Sequence, residues 1–413
     1  YKSGTGSGGM VNVNKVTGIL EALEESEDVQ VYEPLVGVYR EWEKDHPFDE
    51  GVGWGNEPWS QEEMELNEAL VEEAAEKNEY AIVILARTAD EDKDNKMLEG
   101  AYCLTSIEED MLQKVRKSFA KMIVLLNTGN IMDMSFMDQY RPDAVMYVWQ
   151  GGMIGGLGTV DVHTGKVCPS GRLSDTIAAQ MSDYPADPYF GGLERNLYVE
   201  DIYVGYRYFE SAAKSKVLYP FGFGLSYTTF SMEAGGFSYA ENQVSFVMKV
   251  TNTGSVAGKE VVQVYAKAPL GKLGKPARVL IDFKKTKELK PGECAELAFA
   301  IPTSVFASYN EVSTAGMPVG WVLEAGEYTI YAGGNVRDAY AVGSFTLDEL
   351  QIVEECRSAL APTTAFKRMK MTAANEHAEA AGVYEVAMEE VPLRVVSPEE
   401  KRNAELPESY EMT

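Results

Sequence analysis

The sequence predicts two folded units in series, an α/β sandwich on a mostly parallel sheet followed by an antiparallel β-sandwich. Three observations carry this. The first 230 or so residues alternate helix and strand signals, the signature of helices packed on a mostly parallel sheet. Near residue 235 the pattern changes to period-two alternation broken by turns. The length, 413 residues, suits two or three domains at roughly 100–200 residues each.

In chain order, Ser60-Gln-Glu-Glu63 reads as a capping box opening a helix to about Lys77, with Met64, Leu70, Val71 and Ala74 facing inward. Tyr80-Ala-Ile-Val-Ile-Leu-Ala86 is a continuous apolar run, as in a strand buried on both faces. Thr105-Ser-Ile-Glu108 caps a second helix whose Ile107, Met111, Val115 and Phe119 recur near helical spacing. Met122-Ile-Val-Leu-Leu126 and Ala144-Val-Met-Tyr-Val-Trp149 are further buried strands, and Pro169-Ser-Gly-Arg-Leu173 reads as a turn entering another. Tyr203 to Phe209 and Tyr219 to Tyr227 mix aromatics with glycines, as tightly packed domain junctions do.

Beyond that junction, strands are expected at Val244–Val250, Glu260–Tyr265, Arg278–Phe283, Glu296–Ile301, Trp321–Glu324 and Tyr328–Ala332. Six or seven short strands in about 110 residues make a small sandwich. From Asp348 the chain reads as helical again, then polar and irregular through Pro392 to Thr413, a linker or wrapping segment that buries little. The expected divisions are therefore 1–230, 231–347 and 348–413. No internal repeat of fixed period is present.

Composition excludes several classes. Hydrophobic residues make up 45% and charged residues 24%, the balance of a globular protein with a real core. Lys and Arg total 37 against 64 Asp and Glu, a net charge of -27 that argues against a nucleic-acid or anionic-membrane partner. No apolar run approaches the roughly 20 residues of a membrane span. The chain opens at Tyr1 directly into glycines, which fits a start part-way through a longer protein and leaves an upstream signal open. Cys103, Cys168, Cys294 and Cys356 are far apart, a usage that suits a reducing cytoplasm. His46, His163 and His377 are equally scattered, so no transition-metal site and no cofactor is expected.

Three segments could carry chemistry. Gly4-Thr-Gly6-Ser-Gly8-Gly9 fits Gly-x-Gly-x-x-Gly, but the strand that a dinucleotide site needs before the first glycine is not there. A tight loop presenting Ser7 and backbone amides to a hydroxylated ligand fits equally well, as does a plain glycine turn. Arg87-Thr-Ala-Asp90-Glu91-Asp92-Lys93-Asp94-Asn95 leaves the C-terminal end of a buried strand, where α/β sheets place ligands. Its aspartates mimic the start of a calcium loop, but Asn95 and Ala101 stand where the glycine and glutamate must be. It is either a solvated acidic loop or a site where crowded carboxylates raise one another's pKa, suiting one to act as a general acid. Trp54 and Trp59, on a glycine- and proline-rich loop, are core residues or sugar-stacking ones.

Taken in order, the segments resemble the family-3 glycoside hydrolases, the β-glucosidase group. The matching pieces are Lys2 to Gly8, Arg87 to Asp94, Trp149-Gln-Gly-Gly152, Pro169 to Leu173, Glu200 to Phe209 and Phe221 to Thr228. Asn252-Thr-Gly254 and Gly258 to Tyr265 then resemble the fibronectin type III-like domain of that family. The likeness covers roughly residues 1–350. Leu360-Ala-Pro362 to Met369 is similar to the link of the branch in which these two domains precede the catalytic barrel.

The resemblance implies a retaining β-glycosidase, most simply a β-glucosidase, with Glu91 as acid/base and Ser7 against the sugar. It also implies a nucleophilic aspartate in a barrel of about 250 residues or more, for which this chain has no room. The barrel half, as a continuation or a second chain, would then be the partner, with a β-glucoside or oligosaccharide as substrate; homo-oligomerisation stays open. Two departures matter. Asp90 and Asp92 flank Glu91 where relatives carry a glycine and a small residue, and the added charge either raises the pKa of Glu91 or changes the path of the loop. Ile154 stands where relatives often have an acidic or amide residue. The rival reading is a non-catalytic carbohydrate-binding or assembly module of the same fold.

Overall fold

The computed structural model describes residues 15–52, 56–88, 94–314, 316–357 and 361–393. The first unit runs α1 (Ile19–Glu24), α2 (Glu33–Trp42), α3 (Glu68–Lys77), β1 (Ala81–Ala86), α4 (Ser106–Ser118), β2 (Met122–Asn127), α5 (Phe136–Tyr140), β3 (Ala144–Tyr147) and α6 (Gly155–His163). The strands form a parallel sheet in the order β1-β2-β3, with Ala81 opposite Met122 and Ile123 opposite Ala144. Parallel strands need helical crossovers, and those helices cover the sheet. Val83, Leu85, Val124 and Leu126 accordingly share a core with Met111, Leu112 and Val115 of α4.

The capping box at Thr105 is present: Glu108 N donates to Thr105 Oγ1 at 3.2 Å, and Thr105 N donates to Glu108 Oε2 at 2.8 Å. The one expected at Ser60 is not. The helix starts instead at Glu68, capped by Asn67, whose Oδ1 accepts from Ala69 N at 2.9 Å. The physical reason lies in Glu63. Its Oε1 accepts from the Tyr39 hydroxyl and from Met64 N, contacts that hold the side chain away from Ser60 while residues 61–67 run without helix. Met64 and Leu66 are buried at a spacing of two, the spacing of extended chain.

After α6 come β4 (Ile177–Ala178), α7 (Tyr206–Ala212) and β5 (Val217–Tyr219), with β4 and β5 antiparallel. Pro169 to Leu173 enters no strand. Leu173 exchanges two backbone hydrogen bonds of 2.8 Å with Gly222 and Phe223, and Arg172 is tied to Glu260 of the next unit.

That unit comprises β6 (Phe230–Ala240), β7 (Gln243–Asn252), β8 (Val261–Lys267), β9 (Val279–Lys285), β10 (Cys294–Pro302), β11 (Ser308–Asn310), β12 (Gly320–Leu323), β13 (Gly326–Gly333) and β14 (Tyr340–Leu347). Sheets β10-β7-β6 and β14-β13-β8-β9 face each other. Val244, Phe246, Met248 and Val250 of β7 point into the same core as Val262, Val264, Tyr328 and Ile330, the alternation expected when one face is buried.

The segment after Asp348 corrects the helical, little-buried reading. Gln351–Glu355 is a strand, β15, antiparallel to β12. β16 (Lys367–Thr372) and β17 (Glu385–Glu390) form a hairpin around the short helix α8 (Glu376–Ala381). The charges that read as a solvated tail are cross-strand partners, Lys367 opposite Glu390 and Arg368 opposite Glu389. Met371 and Tyr384 are buried against Tyr203, Leu270 and Ala277, and backbone bonds run from Met369 N to Val199 O and from Tyr384 N to Ser211 O. Arg368 meets Asp201, Glu311 and Glu389, one carboxylate from each of the three segments.

The aromatic stretches lie where the α/β unit meets the sandwich. Tyr206 stacks on Phe221 at 4.5 Å, meets the edge of Tyr265 at 6.1 Å and accepts from Leu280 N at 2.9 Å. Gln263 Nε2 donates to Gly222 O and Gly334 O. Arg337 pairs with the buried Glu210 of α7 at 2.9 Å. The junction is therefore a packed interface and not a hinge.

Candidate active site

The C-terminal edge of the parallel sheet is built by the residues that leave each strand. β1 passes directly into Arg87 and Thr88, which are 3% and 0% exposed. Arg87 N donates to Asn127 O at the end of β2, and Asn127 Nδ2 donates to Trp149 O just beyond β3. One chain of hydrogen bonds thus ties the exits of all three strands. Trp149 takes a left-handed backbone, φ 53°, and lies 4.7 Å from the ring of Tyr147. Burial pushes the Tyr147 phenol well above its ordinary range, so it stays neutral as it accepts from Met132 N.

Arg87 is the anchor of the acidic loop. Its Nη1 and Nη2 grip both carboxylate oxygens of the buried Glu108 at 2.6 and 2.8 Å. Its remaining donors reach Ala86 O, Ala101 O and Cys103 O. A guanidinium can fork onto a carboxylate in this way because its donors are planar and fixed. Thr88 N donates to Trp59 O at 2.7 Å. On the far side, Asn95 Nδ2 donates to Ile131 O at 2.7 Å.

The segment just beyond the glycine-rich N-terminal stretch returns to this same edge. Thr17 N donates to Met153 O, and Gly156 N donates to Thr17 O. The contact demands glycine, since a Cβ on Gly156 would lie 2.0 Å from Gly18 O. Beside it, Met153 and Ile154 are 50% and 66% exposed.

Glu91, with its neighbours Asp90 and Asp92, lies outside the described residues, as do Ser7 and Trp54. The structure brings Arg87 and Thr88, Asn95, and the chain at Thr17 to one edge of one sheet. Trp59 contributes its carbonyl to that edge. Sequence reasoning missed Arg87 and Glu108 as a pair. An arginine at the end of an apolar strand, 21 residues before a glutamate, carries no local signal of contact.

At the opposite edge of the sheet, Tyr80, Lys121, Asp143 and His163 line an open depression of about 360 Å³. The Tyr80 hydroxyl and His163 Nε2 are 3.0 Å apart, and burial holds the imidazole below its ordinary pKa. Among the described residues, no group of three or more His, Cys, Asp or Glu side chains could hold a metal ion. No described helix is long and apolar enough to cross a membrane.

Known proteins share this architecture. The family model described as glycosyl hydrolase family 3 C-terminal domain matches residues 1–227, and the fibronectin type III-like domain matches residues 260–336. A beta-glucosidase of Ruminococcus albus is 50% identical over 407 residues, which are 98% of this chain and 42% of that protein. Beta-glucosidase A of Butyrivibrio fibrisolvens is 36% identical over 412 residues, 89% of this chain and 49% of that one. The crystal structure of a beta-glucosidase from Paenibacillus barengoltzii superimposes with a TM-score of 0.92 at 46% identity, covering 100% of this chain and 46% of that one. This chain therefore spans less than half the length of each of these relatives.

Proposed function

This chain belongs to glycosyl hydrolase family 3, and from that premise we propose that it forms the acid/base-bearing part of a retaining β-glucosidase. The observation that carries the proposal is the 50% identity to a beta-glucosidase over 98% of the chain. The sheet edge supports it, because the loop that includes Glu91 leaves β1 where α/β sheets present ligands. In this reading the units are 1–230, 231–347 and 348–413, and the nucleophilic aspartate lies outside these residues in a barrel. The four free thiols favour a reducing, cytoplasmic setting.

The chemistry needs two carboxyl groups about 5–5.5 Å apart. Glu91 protonates the glycosidic oxygen while the aspartate attacks the anomeric carbon, releasing the aglycone and leaving a glycosyl-enzyme. Glu91, now a carboxylate, takes a proton from water as that water attacks the same carbon, and β-D-glucose leaves with retained configuration. Ser7 bonds a hydroxyl of the sugar held at the non-reducing end.

The test is Glu91→Ala in the complete enzyme. Substrates with poor leaving groups should slow by about 10²–10⁴-fold, whereas the first step on activated aryl glucosides should change far less. Azide should restore turnover and yield a β-glucosyl azide, since an anion needs no general base. Rescue at Asp90, Asp92 or Asp94 but not at Glu91 moves the role to another carboxylate. A complete protein that binds glucosides and hydrolyses none supports the binding-module reading instead.

A further inference from the structure

We propose that the carboxylates of Asp201, Glu311 and Glu389 around Arg368 form a proton-controlled latch, which holds the open end of the β16–β17 hairpin against the two larger units. The latch does not depend on which carboxylate acts in catalysis.

Three stretches of chain far apart in sequence build it. Arg368 lies on β16 directly opposite Glu389 of β17, and its Nε and Nη2 donate to Glu389 Oε1 at 3.2 and 3.1 Å. Lys370, two residues on and so on the same face, donates to Glu389 Oε2 at 3.0 Å. Both cations of this face are therefore engaged by the hairpin's own glutamate. The other two acids come from outside the hairpin: Asp201 precedes α7 in the α/β unit, and Glu311 follows β11 in the sandwich. They meet only what Arg368 has left. Asp201 Oδ2 is 3.5 Å from Nη1, too long for a strong charge-assisted bond. Glu311 Oε2 comes within 2.6 Å of Nη2 but, although buried, makes no hydrogen bond of acceptable geometry. Lys367 and Glu390 pair at the exposed rim and balance one another.

The charge count makes this cluster sensitive to protons. Three carboxylates face two cations, and Glu200, beside Asp201, adds a further negative charge. The Arg368 side chain is only 16% exposed and those of the three acids 31–32%, so salt and water screen the excess only in part. One bound proton offsets it. Asp201 is the group placed to take that proton: burial pushes its carboxyl above the ordinary range, Arg368 pulls it down, and Glu311, Glu389 and Glu200 push it up again. Its contribution to docking is complete below about 3.9, the ordinary Asp pKa, and is lost as pH rises through the raised native value. The far end of the hairpin is held by other means. Tyr384 N donates to Ser211 O, Lys267 Nζ to Ala380 O at 2.6 Å, and Leu270 N to Glu379 Oε1 at 3.0 Å. Loss of the proton should therefore loosen the open end, where Met369 N donates to Val199 O two residues from Asp201, and leave the α8 end in place.

The experiment is hydrogen exchange in the complete enzyme between about pH 5 and about pH 8, corrected for the intrinsic pH dependence of exchange. It compares peptides covering residues 367–371 and 383–386. The first should lose protection about three- to tenfold as pH rises, tenfold being the effect of one pKa unit, while the second changes less than about twofold. Asp201→Asn should hold the first peptide at its low-pH protection throughout. Asparagine suits that position, because it tolerates the left-handed backbone, φ 50°, found there. Glu311→Gln removes one of the three acids, should flatten the profile likewise, and keeps the test open if Asp201→Asn folds poorly. Protection that is independent of pH in the unmodified enzyme, or greater at high pH, overturns the latch, as does an unmodified profile that persists in both variants. Equal loss at both ends of the hairpin also overturns it, since that is loosening of the whole segment and not release at Arg368.

Discussion

Asn252 offers the sharpest test of how the two main units are joined. It ends β7 and is 0% exposed, and all its amide capacity is used. Oδ1 accepts from Thr228 Oγ1 at 2.7 Å and from Gly254 N at 3.1 Å, while Nδ2 donates to Val256 O and Leu289 O, each at 2.8 Å. Thr228 precedes the first sandwich strand, so this amide fastens the interdomain connection to the sandwich. Each bond is worth about 0.5–1.5 kcal/mol net, but the partners left by Asn252→Ala are not equally stranded. Leu289 O keeps Gly258 N, and Gly254 N keeps a 3.3 Å contact to Thr229 O. Val256 is 40% exposed and its carbonyl can find water, whereas Thr228 is buried. The expected loss is therefore about 2–4 kcal/mol rather than the full sum, or roughly 10–25 °C in the melting of a unit of this size. Calorimetry would show this in the sandwich transition. Thr228→Val, which removes one bond, should cost about 1 kcal/mol. Asn252→Asp should be worse than Asn252→Ala at neutral pH, with a carboxylate facing two carbonyls. Its native pKa would rise above the unfolded ~3.9, so stability would be recovered as pH falls and lost as it rises. An Asn252→Ala loss under 1 kcal/mol, or equal losses for Asn252→Ala and Thr228→Val, would refute the reasoning.

Other expectations can be checked separately. Ser7→Ala in the complete enzyme should lower kcat/KM about three- to tenfold with folding intact, the worth of one neutral hydrogen bond; unchanged kinetics across several glucosides would remove Ser7 from the site. Burial lowers the pKa of His163, so the stability it permits is complete above about 6.5 and falls as pH drops from there toward the native value. Its NMR titration should give a midpoint below 6.5, and His163→Gln should flatten that acid-side loss. Lys275 and Glu324 form an ion pair with side chains 5% and 7% exposed. Lys275→Met alone should cost about 3–5 kcal/mol, and adding Glu324→Leu should recover only part of it, because that carboxylate also accepts from Lys272 N and Leu273 N, which denaturant titration would show.

The parallel sheet was legible because its signal is continuous. Tyr80 to Ala86 and Met122 to Leu126 are apolar without interruption, and only strands covered on both faces tolerate that. The sandwich was legible through the alternation of β7, where buried and less buried residues take turns. The readings that failed were local patterns overruled by tertiary partners. Ser60 to Glu63 has the letters of a capping box, but Tyr39, 24 residues away, competes for the glutamate. The charges of β16 and β17 look like a solvated tail until a hairpin sets them opposite one another, because cross-strand pairing has no fixed sequence spacing.

Glu108 shows where legibility of the candidate site stopped. Thr105-Ser-Ile-Glu108 announces a helix start because the capping box has a fixed three-residue spacing, and the structure contains it. The same carboxylate also receives Arg87, a contact set by how α4 packs across β1 and written in no motif. A buried arginine must find a carboxylate or a set of carbonyls, so the apolar strand before Arg87 already required a partner somewhere in the fold. Only the packing could say which acid it was, and that choice is what links the helix cap to the chain leaving β1.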